Sequence, residues 1–85
     1  MSLTYTVMAT YTGGLNQVHD QELFSLANQI ANGISDGDGE YDHATRIRTI
    51  EWAADTEWSA KYLEAVLLLG SAPDLHISIA PPEES

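Results

Sequence analysis

The sequence predicts a small α+β domain, a two-layer sandwich in which two helices pack on one face of a small sheet. Two segments alternate polar and apolar residues as half-buried strands do, and two others repeat apolar residues at helical spacing. Each helical segment carries an apolar stripe that must be buried against another layer. The expected order is therefore strand, helix, strand, helix, strand, in one domain over residues 1–80.

The first strand is expected over residues 4–11, where every second side chain is apolar or aromatic. A helix follows, with Asp20 as its N-cap and Glu22 in its first turn. Asn32 and Gly33 suit its C-terminal cap. Its apolar stripe is Leu23, Leu26, Ala27, Ile30, Ala31 and Ile34.

The middle of the chain contains an acidic segment and a segment of ambiguous periodicity. Residues 35–42 combine two glycines with four acidic residues, which predicts an exposed loop. Residues 44–54 favour a strand because they are rich in β-branched residues, and Trp52 adds to this preference. Ile47, Ile50 and Ala54 also fit one face of a helix. The alternative fold is therefore a helical hairpin with two terminal strands.

A second helix is expected after Asp55 or Thr56, either of which can cap it, and it should end at Gly70. Its predicted buried stripe is Trp58, Tyr62, Ala65, Val66 and Leu69, widened by Leu63 and Leu67. Residues 75–80 alternate again and predict a short last strand. Residues 81–85 hold two prolines and two glutamates, so we expect a flexible acidic tail.

This order of elements resembles a trimmed ferredoxin-like fold, which is built from two split strand-helix-strand units. One strand would be missing or hidden in the acidic segment. Strands joined through a helix should be parallel if they lie in one sheet, because such crossovers are right-handed. The resemblance is one of layout, so it implies no functional residues.

The composition points to the class of partner. Thirteen acidic residues against three basic ones give the 85-residue chain a formal charge of −10. This charge opposes direct binding to nucleic acid and to anionic membranes, and it favours a basic protein surface. The same charge also serves solubility. Since no secretion signal or membrane-spanning run is recognisable, a cytoplasmic location is expected.

No motif indicates catalysis, a cofactor or a metal. The absence of cysteine excludes thiolate sites. The acidic residues of the 35–42 segment have the spacing of a calcium loop, but Ile47 occupies the position of the closing glutamate. His43 beside Asp42 or Glu40 could form an acid/base pair, although such neighbours are common in so acidic a chain. The chain is therefore expected to be a non-enzymatic protein without cofactors.

The segment from Ile50 to Asp55, IEWAAD, leads into the predicted helix of Trp58 and Tyr62. It resembles small ferredoxin-like domains that pair into dimeric α+β barrels, a group that includes cofactor-free monooxygenases and stress proteins. The resemblance implies a homodimer with a small-molecule pocket between sheet and helices. The residues expected to line that pocket are Tyr5, Tyr11, Trp52 and Trp58.

The leading functional hypothesis is a non-enzymatic acidic interaction protein that docks on a basic partner. One form of it is an inhibitor that mimics nucleic acid charge and binds a nucleic-acid-binding protein. The expected partner-binding residues are Asp36, Asp38, Glu40, Asp42, Asp55, Glu57 and Glu64. Arg46 and Arg48 are expected on an exposed strand face, solvated rather than buried.

Overall fold

The structure is a computed structural model that describes residues 4–30, 34–35 and 37–82. The described chain forms four strands and two helices, in an order that adds one strand to the predicted plan. The elements are β1 (Tyr5–Tyr11), α1 (Gln17–Asn28), β2 (Asp38–Asp42), β3 (Ile47–Ala54), α2 (Glu57–Leu67) and β4 (His76–Ala80).

The four strands form one sheet with the order β2-β3-β1-β4, and every neighbouring pair is antiparallel. Since β1 and β2 both run against β3, they are parallel to each other, as are β3 and β4, which both run against β1. Strands joined through a helix are therefore parallel but not adjacent. This is a ferredoxin-like layout, and the prediction of a two-layer α+β sandwich is confirmed.

The acidic segment contains the strand that the sequence left missing or hidden. We expected an exposed loop over residues 35–42, but Asp38–Asp42 forms β2 at one edge of the sheet. The ladder with β3 pairs Asp38 with Glu51 and Asp42 with Ile47. Pairing with a neighbouring strand therefore overrides the low strand propensity of glycine and aspartate.

The ambiguous segment is a strand, and the helical alternative is wrong. β3 begins at Ile47, because residues 43–46 form the turn of the β2–β3 hairpin. Arg46 has a φ of 60°, a left-handed conformation that suits this turn. Because Arg46 belongs to the turn, it does not share a strand face with Arg48 as the sequence suggested.

Helix α1 begins and ends earlier than expected. Asn16, not Asp20, is the N-cap, and its side chain accepts hydrogen bonds from the backbone N–H of Val18 and His19. The helix ends at Asn28, and Ile34 forms an isolated antiparallel bridge with Ala54 instead of continuing the helical stripe. The remaining cap and stripe positions, Ala31, Asn32 and Gly33, lie outside the described residues.

The core lies between the helices and one face of the sheet. The face of α2 that contacts it differs in part from the predicted one. The buried α2 residues are Ser59, Ala60, Leu63 and Leu67. Trp58 is 71% exposed, Tyr62 47% and Leu69 76%, so the central predicted stripe faces solvent apart from the half-buried Val66. Leu63 and Leu67, which were expected to widen the buried face, are buried as predicted. Small side chains at 59 and 60 let the helix backbone approach the sheet closely, which explains why this face is the inner one.

The inner face of the sheet supplies the other layer of the core. Val7, Ala9 and Tyr11 of β1 are fully buried, and they alternate with less buried neighbours as predicted. Ile50 and Trp52 of β3 also belong to this layer. Within the described part of the chain, neither helix has the length and apolar character needed to cross a membrane.

Candidate functional site

Strand β2 presents three carboxylates on one face of the sheet. Asp38, Glu40 and Asp42 occupy alternate positions, so their side chains project in the same direction. Alternate residues of an antiparallel strand lie about 6.8 Å apart, and the row is therefore about 14 Å long. Because β2 is an edge strand, this row lies at the rim of the molecule.

The sheet register adds a fourth carboxylate. Asp38 lies directly opposite Glu51 of β3. The neighbours Ile50 and Trp52 are buried against the helices, so Glu51 projects from the opposite, helix-free face together with the β2 row. We call Asp38, Glu40, Asp42 and Glu51 the acidic sheet surface.

No cation of the described chain neutralises the acidic sheet surface. The two ion pairs among the described residues join Arg48 to Asp20 and Lys61 to Glu57. Arg46, the third cation of the sequence, donates a hydrogen bond of 3.2 Å from Nη2 to the carbonyl oxygen of Gly13. Like charges placed directly across two strands destabilise a sheet. The chain thus tolerates an unfavourable cross-strand pair at this surface.

Arg48 lies on the helix-facing side of β3, and the expectation that it is solvated on an exposed face is wrong. Its guanidinium holds the carboxylate of Asp20 through two contacts of 3.2 and 3.3 Å, and both side chains are 15% exposed. The Tyr11 hydroxyl donates to the same carboxylate at 2.6 Å and accepts from the Asn16 backbone N–H. Burial, with a lesser contribution from the Asp20 hydrogen bond, raises the pKa of Tyr11.

This Tyr11–Asp20–Arg48 cluster joins β1, α1 and β3 at one end of the sheet. The cluster is satisfied internally, since the described structure contains no buried side-chain nitrogen or oxygen without a hydrogen-bond partner. Its geometry is that of a structural clamp between the two layers. We therefore do not assign a reaction to it.

Asp42 both carries charge and shapes the hairpin turn. Its Oδ1 accepts hydrogen bonds from the backbone N–H of Ala44 at 2.9 Å and of Thr45 at 3.3 Å. These bonds favour the ionised form and lower the pKa of Asp42 below its ordinary value. Asp42 is therefore ionised at neutral pH while it closes the turn.

An open cleft of about 550 Å³ borders the acidic sheet surface at this turn. Its lining includes Glu40, Asp42, His43 and Thr49. The His43 ring packs edge-on against Tyr41 with 4.8 Å between ring centroids. No group of three or more histidine or carboxylate side chains that could hold a metal occurs among the residues described.

The structure places the other expected partner-binding residues elsewhere, and Asp36 lies outside the described residues. Asp55 is exposed in the connection between β3 and α2. Glu57 and Glu64 belong to α2, in the helical layer on the other side of the sheet from the acidic sheet surface, and Glu57 pairs with Lys61 at 3.2 Å. The acidic residues expected to act together therefore fall on two sides of the molecule.

The four aromatic residues expected to line a pocket do not meet in one cavity among the described residues. Tyr11 and Trp52 are buried in the core, where Trp52 packs edge-on against Phe24 at 6.0 Å. Tyr5 is half-buried at the start of β1, whereas Trp58 faces solvent. A second, smaller depression of about 190 Å³ is lined by Trp52 together with residues of the helix-free face, such as Thr6 and Glu51.

Glu51 is the member of the acidic sheet surface that was not predicted. The alternation of β3 already assigned it to the side opposite Trp52. Its position beside Asp38 depends on the pairing of β2 with β3. If β2 had been recognised as a strand in the sequence, its pairing with β3 would have identified Glu51 as part of this surface.

The fold is similar to that of the solved crystal structure of a conserved protein from Methanosarcina mazei Go1. The two chains are 16% identical, and the match covers 95% of this chain and 94% of the other with a TM-score of 0.52. At this identity the likeness extends to the fold alone. No protein-family model matches the chain, and no curated protein matches it.

Proposed function

We propose that this chain is a non-enzymatic interaction protein that docks its acidic sheet surface on a basic surface of a protein partner. The observation that carries the proposal is the row of Asp38, Glu40 and Asp42 beside Glu51, which no cation of the described chain neutralises. A partner that brings lysine or arginine to this row removes the cross-strand repulsion as it binds.

The partner class that we propose is a nucleic-acid-binding protein, which the chain inhibits by occupying the surface that meets phosphates. The carboxylates of the row are about 6.8 Å apart, twice the axial rise per phosphate of one DNA strand. A net charge of −10 attracts such a basic surface from a distance and raises the rate of encounter.

The first experiment identifies and then measures the partner. Immobilised full-length chain captures basic proteins from host lysate at low salt, and the captured partner is purified. Its affinity for the chain is then measured at NaCl concentrations from about 0.05 to 0.5 M, over which the screening length falls severalfold. We expect the affinity to fall steeply with salt and duplex nucleic acid to compete for the partner.

Two variants with the same total charge locate the docking surface. Asp38→Asn/Glu40→Gln/Glu51→Gln neutralises three of the four acids of the acidic sheet surface and leaves the Asp42 turn intact. Asp55→Asn/Glu57→Gln/Glu64→Gln neutralises three other acids. Each variant loses three of the ten net negative charges and keeps −7. We expect the first to weaken binding by about 10-fold or more and the second by about 2-fold or less.

The comparison distinguishes a local surface from a diffuse charge effect. Equal loss of affinity in both variants would mean that net charge alone attracts the partner. An affinity that does not change with salt would exclude the electrostatic proposal altogether.

A further inference from the structure

The solvent face of α2 carries an apolar stripe that the fold does not use. Trp58, Tyr62 and Ala65 of α2, and Leu69 in the turn just after the helix ends, continue the spacing of one helix face, and all four are exposed. The Trp58 and Tyr62 rings pack edge-on with 5.3 Å between centroids. Isolated exposed apolar residues are ordinary, but a continuous row that includes an exposed tryptophan marks an interaction surface. We call these four residues the α2 stripe.

We infer that the α2 stripe is the interface of a homodimer in which the α2 helices of two copies pack antiparallel. A straight stripe along one helix is self-complementary under two-fold symmetry, because each copy offers the same row in the opposite direction. In such a pair Tyr62 lies near the symmetry axis, and each Trp58 packs beyond it toward the Leu69 end of the second copy.

The exposed area is sufficient for a small dimer. A large aromatic side chain offers about 150–250 Å², so the α2 stripe presents roughly 400 Å² of surface. Leu68, which is 57% exposed, and the methylene stem of Lys61 flank the stripe and extend this area. Two copies would together bury roughly 1,000 Å², the lower limit of specific interfaces.

The distribution of charge also favours a second copy on this face. Helix α2 contributes Glu57, Lys61 and Glu64, a formal charge of only −1, although the whole chain carries −10. In an antiparallel pair centred near Tyr62, Lys61 of each copy comes opposite Glu64 of the other. The acidic sheet surfaces lie on the far side of each sheet, so they remain apart and accessible in the dimer.

The test measures the mass of the full-length chain in solution by sedimentation equilibrium in about 0.5 M NaCl, where repulsion between acidic copies is screened. We expect a dimer at concentrations of about 100 μM, and we expect its dissociation constant to rise when the salt is lowered. A monomer at all concentrations up to this value would overturn the inference.

Paired variants assign the dimer to the α2 stripe. Trp58→Ser/Tyr62→Ser removes the two exposed rings, and we expect dimerisation to weaken by at least about 30-fold. The matched control Leu15→Ser/Val18→Ser changes two apolar residues that are 58% and 72% exposed outside α2, and we expect it to leave the dimer unchanged. A dimer that survives the first variant, or is lost with the control, would refute this interface.

A charge exchange tests the antiparallel geometry separately. Lys61→Glu and Glu64→Lys each place like charges across the proposed interface, so each should weaken the dimer by about 3-fold or more. The double exchange restores opposite charges and should recover the original dissociation constant. Additive weakening in the double variant would contradict the antiparallel arrangement.

Discussion

The guanidinium of Arg48 on β3 and the carboxylate of Asp20 on α1 face each other through two contacts of 3.2 and 3.3 Å. This ion pair spans the two layers of the fold at a site where each side chain is only 15% exposed. Removal of one partner from a largely desolvated pair leaves an uncompensated charge, which costs more than the pair itself contributes.

Asp20→Asn should lower the free energy of unfolding by about 2 kcal/mol, because Arg48 loses its counter-charge while the shape of the site is kept. Urea denaturation at neutral pH measures this change. The matched control is Glu57→Gln, which breaks the exposed pair with Lys61 and should cost less than about 0.5 kcal/mol. Equal costs for the two variants would show that Arg48 remains well solvated.

Gly39→Ala should disturb the same ion pair from the neighbouring strand. A Cβ atom at position 39 would lie 2.5 Å from Nη2 of Arg48, so the guanidinium must leave the position from which it contacts Asp20. We expect a cost of about 1–2 kcal/mol in the natural chain and a clearly smaller cost in the Asp20→Asn background. Denaturation of the two single variants and the double variant measures this coupling, and strict additivity would contradict it.

Ionisation of Tyr11 should lower the free energy of unfolding at alkaline pH. The pKa of Tyr11 is raised in the folded state. Its contribution to the free energy of unfolding is therefore fully present below pH 10.0, the ordinary pKa of tyrosine, and is lost as the pH rises through the pKa of the folded chain. Tyr11→Phe should therefore be less stable at neutral pH by about 1 kcal/mol and should lose part of the alkaline decline. Denaturation curves from about pH 8 to 11 test this, and parallel pH profiles of the two chains would be evidence against it.

Asp42 should have the opposite pH dependence. The pKa of Asp42 is lowered in the folded chain. Its contribution to the free energy of unfolding is therefore present above pH 3.8, the ordinary pKa, and is lost as the pH falls through the pKa of the folded chain. Asp42→Ala should remove this acid-sensitive contribution and loosen the hairpin, whereas Asp42→Asn keeps an oxygen acceptor for Ala44 and Thr45. The NMR titration of the Ala44 and Thr45 amide signals from about pH 6 down to about pH 2 is the direct measurement, and a titration midpoint at or above 3.8 would contradict this account.

A pair of leucines tests which face of α2 is inside. Leu63→Ala removes a fully buried side chain and should cost about 3 kcal/mol. Leu69→Ala should change the free energy of unfolding by less than about 0.5 kcal/mol when it is measured at a concentration that keeps the chain monomeric. The reverse order of costs would mean that Leu69, and not Leu63, packs into the core.

The elements with simple local patterns were predictable from the sequence. The alternation of Val7, Ala9 and Tyr11 predicted β1 and its inner face, and Thr56 caps α2 as one of the two expected residues. The face of α2 was not predictable in this way, because the helix has two apolar stripes. The hydrophobicity of the side chains favours the stripe with Trp58 and Tyr62 as the buried one. In the structure the buried face of α2 instead begins with small residues, which allow close packing of the helix on the sheet.

The candidate site was only partly predictable, because it is created by pairing between strands. The acidic residues of β2 were expected to contact a partner, but their composition indicated a loop. Their common direction and the position of Glu51 beside Asp38 follow from the register with β3. Arg48 was placed on the wrong face because nothing in the local sequence shows that Asp20 lies above the sheet.

The location of the acidic row on an edge strand has a consequence for self-assembly. An edge strand has one side of backbone N–H and C=O groups without a neighbour in the sheet, and these can template the addition of a strand from another molecule. Charged side chains on β2 oppose such growth, because two like edges repel each other. The carboxylates proposed for docking are therefore also expected to oppose aggregation through this edge, and their replacement by neutral residues should weaken that opposition.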